Sequence, residues 1–248
     1  TPQGGILSPL LANIALSALD DHFAERWRSA GNAGQRHRLR ARGQATYRLV
    51  RYADDFVVMV AGTREHTEAL RTEIGDVLPP LGLRLAEAKT RVVHLDEGFD
   101  FLGFHIQRKR RKGSNIKCVY TYPSKKALAA VMAKVRALTR RTSQPNLTVL
   151  LQRLNSLLRG WCAYFKHGVS SKTFGYLGWW SYSRVLRWIF ARHNNAKWAP
   201  LRRRYVIDGR ITSENGVVFF DPHTVAITRY QRRAKVPTPW SAVQDNAA

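Results

Sequence analysis

Two cysteines in 248 residues, Cys118 and Cys162, are too few for a disulfide framework or a Cys-rich zinc site, and they fit a reducing compartment. Long hydrophobic runs are lacking too. No stretch approaches the roughly 18 uninterrupted apolar residues that a membrane-spanning helix needs, so no membrane association is expected. Acidic residues are scarce: 17 Asp plus Glu stand against 41 Lys plus Arg, a formal charge of +24. A surplus of that size calls for a polyanionic partner, nucleic acid above all. Disorder is not the reading, because 44% hydrophobic residues suffice for the core of one large domain or two modest ones.

The shortage of acid is local. Residues 1–100 carry 13 basic and 13 acidic side chains, whereas residues 101–248 carry 28 basic and 4 acidic. Six of the seven tryptophans, Trp161, Trp179, Trp180, Trp188, Trp198 and Trp240, also lie in the second part. A neutral half is followed by a basic, Trp-rich half. The chain begins with Thr1 and not Met, and Thr1-Pro2-Gln3-Gly4-Gly5 reads like the interior of a domain. No signal or transit peptide is visible.

Ser8-Pro9 is a helix-start signal, and Leu7, Leu11, Ile14 and Ala18 recur at helical spacing, predicting an amphipathic helix over 9–27. Residues 28–46 read as a solvent-facing basic loop. Two β-rich runs, Tyr47 to Tyr52 and Phe56 to Val60, flank Ala53-Asp54-Asp55 and predict a hairpin. Thr63 caps a second helix, with Leu70, Ile74, Val77, Leu78 and Leu81 on its apolar face and Pro79-Pro80 and Gly82 at its end. Strands are expected at 91–95, 99–107 and 116–121, with Arg108 to Lys112 as a connecting loop. From Ser124 the period is helical. Leu128, Val131, Met132, Val135 and Leu138 form one stripe, and Leu147, Leu150, Leu151, Leu154, Leu157 and Leu158 another. A further helix is expected over 173–193 and a small β-like piece around 205–220. The fold class is therefore α+β, an antiparallel sheet with helices followed by a helical domain.

Tyr52-Ala53-Asp54-Asp55 is the sharpest feature. Neighbouring side chains on a regular strand face opposite ways, so adjacent aspartates share a site only where a turn lifts that restriction. Hard oxygen ligands at this density suit Mg²⁺, which bridges substrate phosphates. A polar Asp-rich turn is the alternative, and such turns are common.

The wider pattern resembles the reverse transcriptases encoded by group II introns. Pro2-Gln3-Gly4-Gly5-Ile6-Leu7-Ser8-Pro9-Leu10-Leu11-Ala12-Asn13-Ile14 with Leu19-Asp20 is similar to their fourth block. Arg51-Tyr52-Ala53-Asp54-Asp55-Phe56 resembles the catalytic block, Leu85 to Arg91 the sixth, and Phe99-Asp100-Phe101-Leu102-Gly103-Phe104 the seventh. Arg159-Gly160-Trp161-Cys162-Ala163-Tyr164-Phe165 is similar to the signature of the maturase region, domain X.

The resemblance implies a partial polymerase palm over 1–122, a helical thumb and maturase domain over 123–200, and a basic C-terminal segment over 201–248. It implies that Asp54 and Asp55 ligate catalytic Mg²⁺ and that Gln3 and Gly4 lie beside the incoming nucleotide and the template. Lys89 would approach triphosphate or backbone phosphates; a strand-edge lysine is the alternative. Leu102, Gly103 and Phe104 would form the primer grip. Asn13 is read either as facing the same site or as a helix-surface asparagine. The family needs a third carboxylate, from a strand ahead of the Pro2-to-Gly5 block, and that segment and the fingers are not in this sequence. The chain alone is therefore expected not to polymerise DNA, and an N-terminal fragment supplied in trans is a candidate partner.

The basic half is read as an RNA-binding surface. Lys125, Lys126, Arg140, Arg141, Arg187, Arg192, Lys197, Arg202, Arg203 and Arg204 are its candidate contacts, with Lys134 and Arg136 nearby; a solvated helix face is the alternative. Structured RNA is read by shape, backbone contact and stacking on unpaired bases. Among the interleaved aromatics, Trp161 and Phe165 are read as core, while Trp180 and Trp198 stand open between packing and stacking. His193-Asn194-Asn195 lacks the cysteine support of a nuclease domain. The implied partners are group II intron RNA, an RNA template, a DNA primer and deoxynucleoside triphosphates. The implied compartment is the bacterial cytoplasm, with an organelle as alternative. The competing readings are a non-catalytic splicing factor that keeps Asp54-Asp55 by descent, and a decayed intron remnant.

Overall fold

The computed structural model describes residues 8–194 and 197–228, and the chain divides into two compact units, one ending at His94 and the other starting at Leu95. The expected palm segment, 1–122, spans that division.

The first unit begins with helix α1 (Ser8–Ser29). Its buried side chains are Leu16, Leu19 and Phe23, packed with Leu49, Leu70, Ile74 and Leu78. The stripe expected from periodicity is corrected: Leu11 and Ile14 are exposed, and Leu7 lies outside the described residues. The early part of α1 is apolar nearly all round, so spacing alone selects no face; packing against Leu49 selects it.

The basic loop expected at 28–46 is also corrected. Residues Ala33–Ala41 form helix α2, because Asn32 and Gln35 make a reciprocal capping box. The Asn32 side chain accepts from the Gln35 backbone N–H at 3.0 Å, and the Asn32 N–H donates to Gln35 Oε1 at 2.7 Å. α2 buries no residue, so its cap and an arginine contact hold it: Arg36 lies 4.1 Å from the ring centre of Trp27 on α1.

Strands β1 (Thr46–Tyr52) and β2 (Asp55–Ala61) pair antiparallel, with Tyr52 opposite Asp55. Helix α3 (Arg64–Val77) starts at the expected Thr63 cap, buries Leu70 and Ile74, and gives way to a 3-10 turn at Pro79–Leu81. The strand expected at 91–95 does not form. Leu95 makes one bridging bond there, its carbonyl accepting from the Arg108 N–H at 2.8 Å, and the chain turns away at Asp96.

In the second unit, β3 (Phe99–Phe101), β4 (Phe104–Arg110) and β5 (Lys117–Pro123) form an antiparallel sheet in that order. The run 99–107 is thus two strands, broken at Leu102-Gly103. Arg108 to Arg110, expected in a loop, continue β4, because they pair in register with Lys117 to Val119 of β5.

Helices α4 (Lys125–Leu138), α5 (Leu147–Phe165) and α6 (Ser171–Arg192) follow. Val131 and Val135 from the first stripe, and Leu147, Leu150, Leu151, Leu154 and Leu158 from the second, meet Leu177, Val185 and Ile189 in one core. Each such side chain taken fully out of water contributes about 2 kcal/mol. Leu128, Met132, Leu138 and Leu157 pack on its margin.

Helix α7 (Trp198–Tyr205) and the two-residue strands β6 (Val206–Ile207) and β7 (Arg210–Ile211) complete the α+β fold. Buried Asn155 on α5 fastens the final segment. Its amide donates to the Val218 carbonyl at 2.7 Å and its oxygen accepts from the Phe220 N–H at 2.8 Å.

Candidate catalytic turn and nucleic-acid interface

Asp54 sits in the β1–β2 turn and Asp55 opens β2; both are exposed. The reversal is tight enough to hold Ala53 at φ 53°, in the left-handed region that side chains other than glycine seldom adopt. What holds it is Arg51, whose side chain is 15% exposed. Its Nε donates to both carboxylate oxygens of Asp20 at 3.1 and 3.0 Å, and its Nη2 pairs with the same carboxylate. Its Nη1 donates to Asn13 Oδ1 at 2.9 Å and to the Ala53 carbonyl at 2.8 Å. The hydrogen-bonded pairing with Asp20 pushes the Arg51 guanidinium above its ordinary range, so it carries a fixed positive charge. One guanidinium therefore ties the acidic turn to α1, and Asn13 and Asp20 act as braces for it. The motif spacing alone did not reveal Arg51 as the hub.

Lys89 is exposed in a turn closed by its own N–H to the Ala86 carbonyl at 2.9 Å, and not at a strand edge. Gln3 and Gly4 lie outside the described residues. The two carboxylates have the hard-oxygen chemistry of a Mg²⁺ site with waters completing the shell. Among the described residues, no group of three or more His, Cys, Asp or Glu side chains is placed to hold a metal ion. A groove of about 1020 Å³ between α3 and residues 84–92 mixes Arg64, Arg71 and Arg84 with Glu68 and Glu87, which is poor chemistry for a phosphate cradle.

In the second unit the Leu102–Phe104 hairpin and the Trp161-to-Phe165 signature are brought together. Leu102 (φ 48°) and Gly103 (φ 76°) form a two-residue turn with both φ values positive, the geometry that suits the right-handed twist of a hairpin. Tyr164 Oη donates to the Leu102 carbonyl at 2.9 Å. Phe104 stacks on Tyr164 with ring centres 5.5 Å apart and meets Phe165 edge-on at 4.8 Å. Ser124, the N-cap of α4, donates its N–H to the Gly103 carbonyl at 2.8 Å. The signature's aromatics thus clamp the hairpin, and the hairpin's Gly103 carbonyl holds the residue that caps the helix carrying Lys125 and Lys126. Cys162, 1% exposed, has its thiol pushed up to about 12 by burial, with the Asp221 charge adding to the effect. It packs and does not react.

Between Asp100 and Asp208 the sequence contains no acidic residue. Lys125, Lys126, Arg140, Arg141, Arg187, Arg192, Lys197, Arg202, Arg203 and Arg204 are all exposed. Arg141 donates to Asn194 Oδ1 at 3.4 Å and Arg192 to the Pro145 carbonyl, joining the loop after α4 to the end of α6. Arg204 pairs with Glu214, which leaves it less free than its neighbours.

Sequence reasoning passed over Arg184. Its Nε donates to Thr139 Oγ1 at 3.0 Å, and burial, with the Arg187 and Arg136 charges, lowers its pKa. Arg136 and Arg187 therefore act on Arg184 as nearby like charges. Trp180 packs on the core with Arg136 5.4 Å from its ring centre, and Trp198 packs against Phe190 at 5.0 Å. His193 hydrogen-bonds Tyr205 Oη at 3.0 Å, a structural partner and not a metal-site arrangement.

One unit carries a tight, braced aspartate turn, and the other a helical surface rich in Lys and Arg whose 101–207 stretch contains no acid, a pairing that suits a protein working on nucleic acid. Comparison with known families matches both parts. Residues 1–106 match the reverse transcriptase (RNA-dependent DNA polymerase) family, and residues 128–206 match the group II intron, maturase-specific domain. With both regions in this order, the chain belongs to the reverse transcriptase/maturase proteins of group II introns.

Among curated proteins, it is 39% identical to Protein YkfC of Escherichia coli (strain K12), the match covering 54% of this chain and 41% of that protein. It is 30% identical to the group II intron-encoded protein LtrA of Lactococcus lactis subsp. cremoris, covering 46% and 26%. It is 25% identical to the putative COX1/OXI3 intron 2 protein of Saccharomyces cerevisiae, covering 43% and 17%. The chain spans less than half the length of these relatives.

Proposed function

We propose that the chain binds the structured RNA of a group II intron and assists its splicing and mobility, and that Asp54 and Asp55 supply two metal-binding carboxylates for RNA-directed DNA synthesis. The stretch from 101 to 207 without a single acid, folded so that ten candidate cations face solvent, carries the RNA-binding part. Such a surface repels itself until phosphate neutralises it.

In the polymerase part, Asp54 and Asp55 would hold Mg²⁺ at the turn, and Arg51 keeps that turn in place from α1. When bound, Mg²⁺ neutralises the substrate phosphates and orients the attacking oxygen. Gln3, Gly4 and Lys89 are assigned to nucleotide and template, and Leu102, Gly103 and Phe104 to the primer grip. Deoxynucleoside triphosphates, an RNA template and a DNA primer are the substrates. The division into palm (1–122), thumb and maturase domain (123–200) and basic C-terminal segment (201–248) belongs to this reading, as does a bacterial cytoplasmic location. Two carboxylates would fall short of a two-metal clamp, so synthesis is assigned to a complex in which an N-terminal fragment adds a third.

Primer extension tests the polymerase part. The chain alone is expected to give no template-dependent product, and product is expected with an N-terminal fragment of a relative supplied in trans. Asp54→Ala abolishes that product and leaves RNA affinity unchanged. Equal inactivity with and without the fragment supports the second reading, a non-catalytic splicing factor.

A further inference from the structure

The fold leaves one aromatic pair of α6 outside its core. Lys172, Tyr176, Trp179, Ser183 and Arg187 follow one another at helical intervals of three or four residues, so they share a single stripe of the helix surface. Trp179 is 66% exposed and Tyr176 is 47% exposed, and their ring centres lie 6.4 Å apart. The other tryptophans of the described helical region have packing partners: Trp161 with Phe165 and Phe174, Trp180 and Trp188 in the main core, Trp198 with Phe190. An indole left this bare on an otherwise well-packed helix costs exposed apolar surface and adds nothing to the core.

The surroundings of the pair select its ligand. Ser183 Oγ donates to the Trp179 carbonyl at 2.9 Å, and Arg187 Nε donates to the Ser183 carbonyl at 3.3 Å. The second bond folds the Arg187 side chain back along the stripe to Ser183, one turn after Trp179, while exposed Lys172 stands one turn before Tyr176. The 101–207 sequence contains no Asp or Glu, and Asp221, from outside that stretch, packs at Gly178, about 100° round the helix from Trp179. A second copy of this chain, at +24, is repelled from such a face, and a neutral apolar partner leaves the cations unmatched. An exposed aromatic pair, its rings tilted 37° to each other, between two cations matches a strand whose bases are unpaired and whose phosphates run past on both sides.

We propose that Trp179, with Tyr176 beside it, stacks an unpaired base of the bound RNA, and that Lys172 and Arg187 contact the flanking phosphates. The proposal rests on the RNA-binding reading above and adds to it a preference for looped or single-stranded segments over duplex.

The test compares two RNAs of equal length, a hairpin with a large unpaired loop and a fully paired duplex, across a salt series with the full chain. Trp179→Ala lowers affinity for the looped RNA about ten-fold, the scale of one lost base stack, and leaves duplex binding within about two-fold. The slope of log affinity against log salt is unchanged for Trp179→Ala, because stacking releases no counterion. Arg187→Gln makes that slope shallower by about 0.7 to 0.9, one phosphate contact. Trp179→Phe retains most of the affinity. Trp179→Ala binding both RNAs like the parent protein overturns the stacking site and leaves general RNA binding standing. An equal loss on both RNAs also overturns it. Failure of the parent protein to bind either RNA overturns both readings. Loss of self-association in Trp179→Ala with RNA affinity intact reassigns the pair to a protein contact and overturns the proposal.

Discussion

At the scale of single residues, burial decides which groups do chemistry and which pack. Cys162 belongs to the family signature, yet its thiol is pushed up to about 12 by burial, from an ordinary value near 9. A raised thiol pKa means the folded state holds the proton more tightly than the unfolded state. The resulting stability is complete below the unfolded value and is lost as pH rises from 9 towards 12. Thermal melts should therefore show a fall in stability above pH 9 that is reduced in Cys162→Ala. At pH 8, alkylation followed by mass spectrometry should modify half-buried Cys118 and spare Cys162 until the protein is unfolded. Arg51 shows the converse: a charge made useful by partial burial, holding Asp20, Asn13 and the Ala53 carbonyl together. Its presence in the motif was readable in the sequence. Its role as a brace was not, because its partners lie 31 and 38 residues away.

At the scale of elements, the hairpin at Leu102-Gly103 shows how a local turn and a distant helix agree. Gly103 has φ 76°, and a Cβ placed there would lie 3.3 Å from Phe165 Cζ. Phe165 is itself fixed by Trp161, Tyr164 and Phe104, so it yields little. Gly103→Ala should cost about 1 to 2 kcal/mol from the left-handed backbone and the tight contact, measured by urea unfolding. Gly113, also at positive φ but with open space around it, should lose only the backbone part on the same substitution. Helix α2 is the opposite case. Its capping box was present in the sequence as Asn32 and Gln35, but a helix that buries nothing leaves no hydrophobic period to find. The strand expected at 91–95 fails for a related reason, since β-prone residues make a strand only where a partner edge is available.

At the scale of the whole molecule, crowded positive charge destabilises the free protein and, on the proposed function, stabilises its complex with RNA. Arg184 is lowered by burial and by Arg187 and Arg136, a sign that like charges are crowded before any phosphate arrives. Raising salt should therefore raise the melting temperature of the free protein while weakening its grip on RNA. The second effect should be linear in log–log form, at about 0.7 to 0.9 per phosphate contact. A melting temperature insensitive to salt would show that the surface is not self-repelling. Removing Arg140 and Arg141 together should make the RNA slope shallower by about 1.4 to 1.8 and leave the fold intact, since both side chains are exposed.

The sequence by itself determined the class of this protein. Motif order, the Asp54-Asp55 turn and the segregation of charge depend on residue identity and local spacing, and both survive without coordinates. It also determined the three long helices of the second unit, whose leucine and valine periods are strong because they face one core. Tertiary structure decided what local pattern cannot encode. It chose Leu16, Leu19 and Phe23 over Leu11 and Ile14 as the buried face of α1, because the core on the other side exists only after β1 and α3 have folded against it. It also decided which aromatics are free: Trp180 and Trp179 are adjacent in sequence and similar in chemistry. One packs on the core and the other faces solvent because a helix turns about 100° per residue.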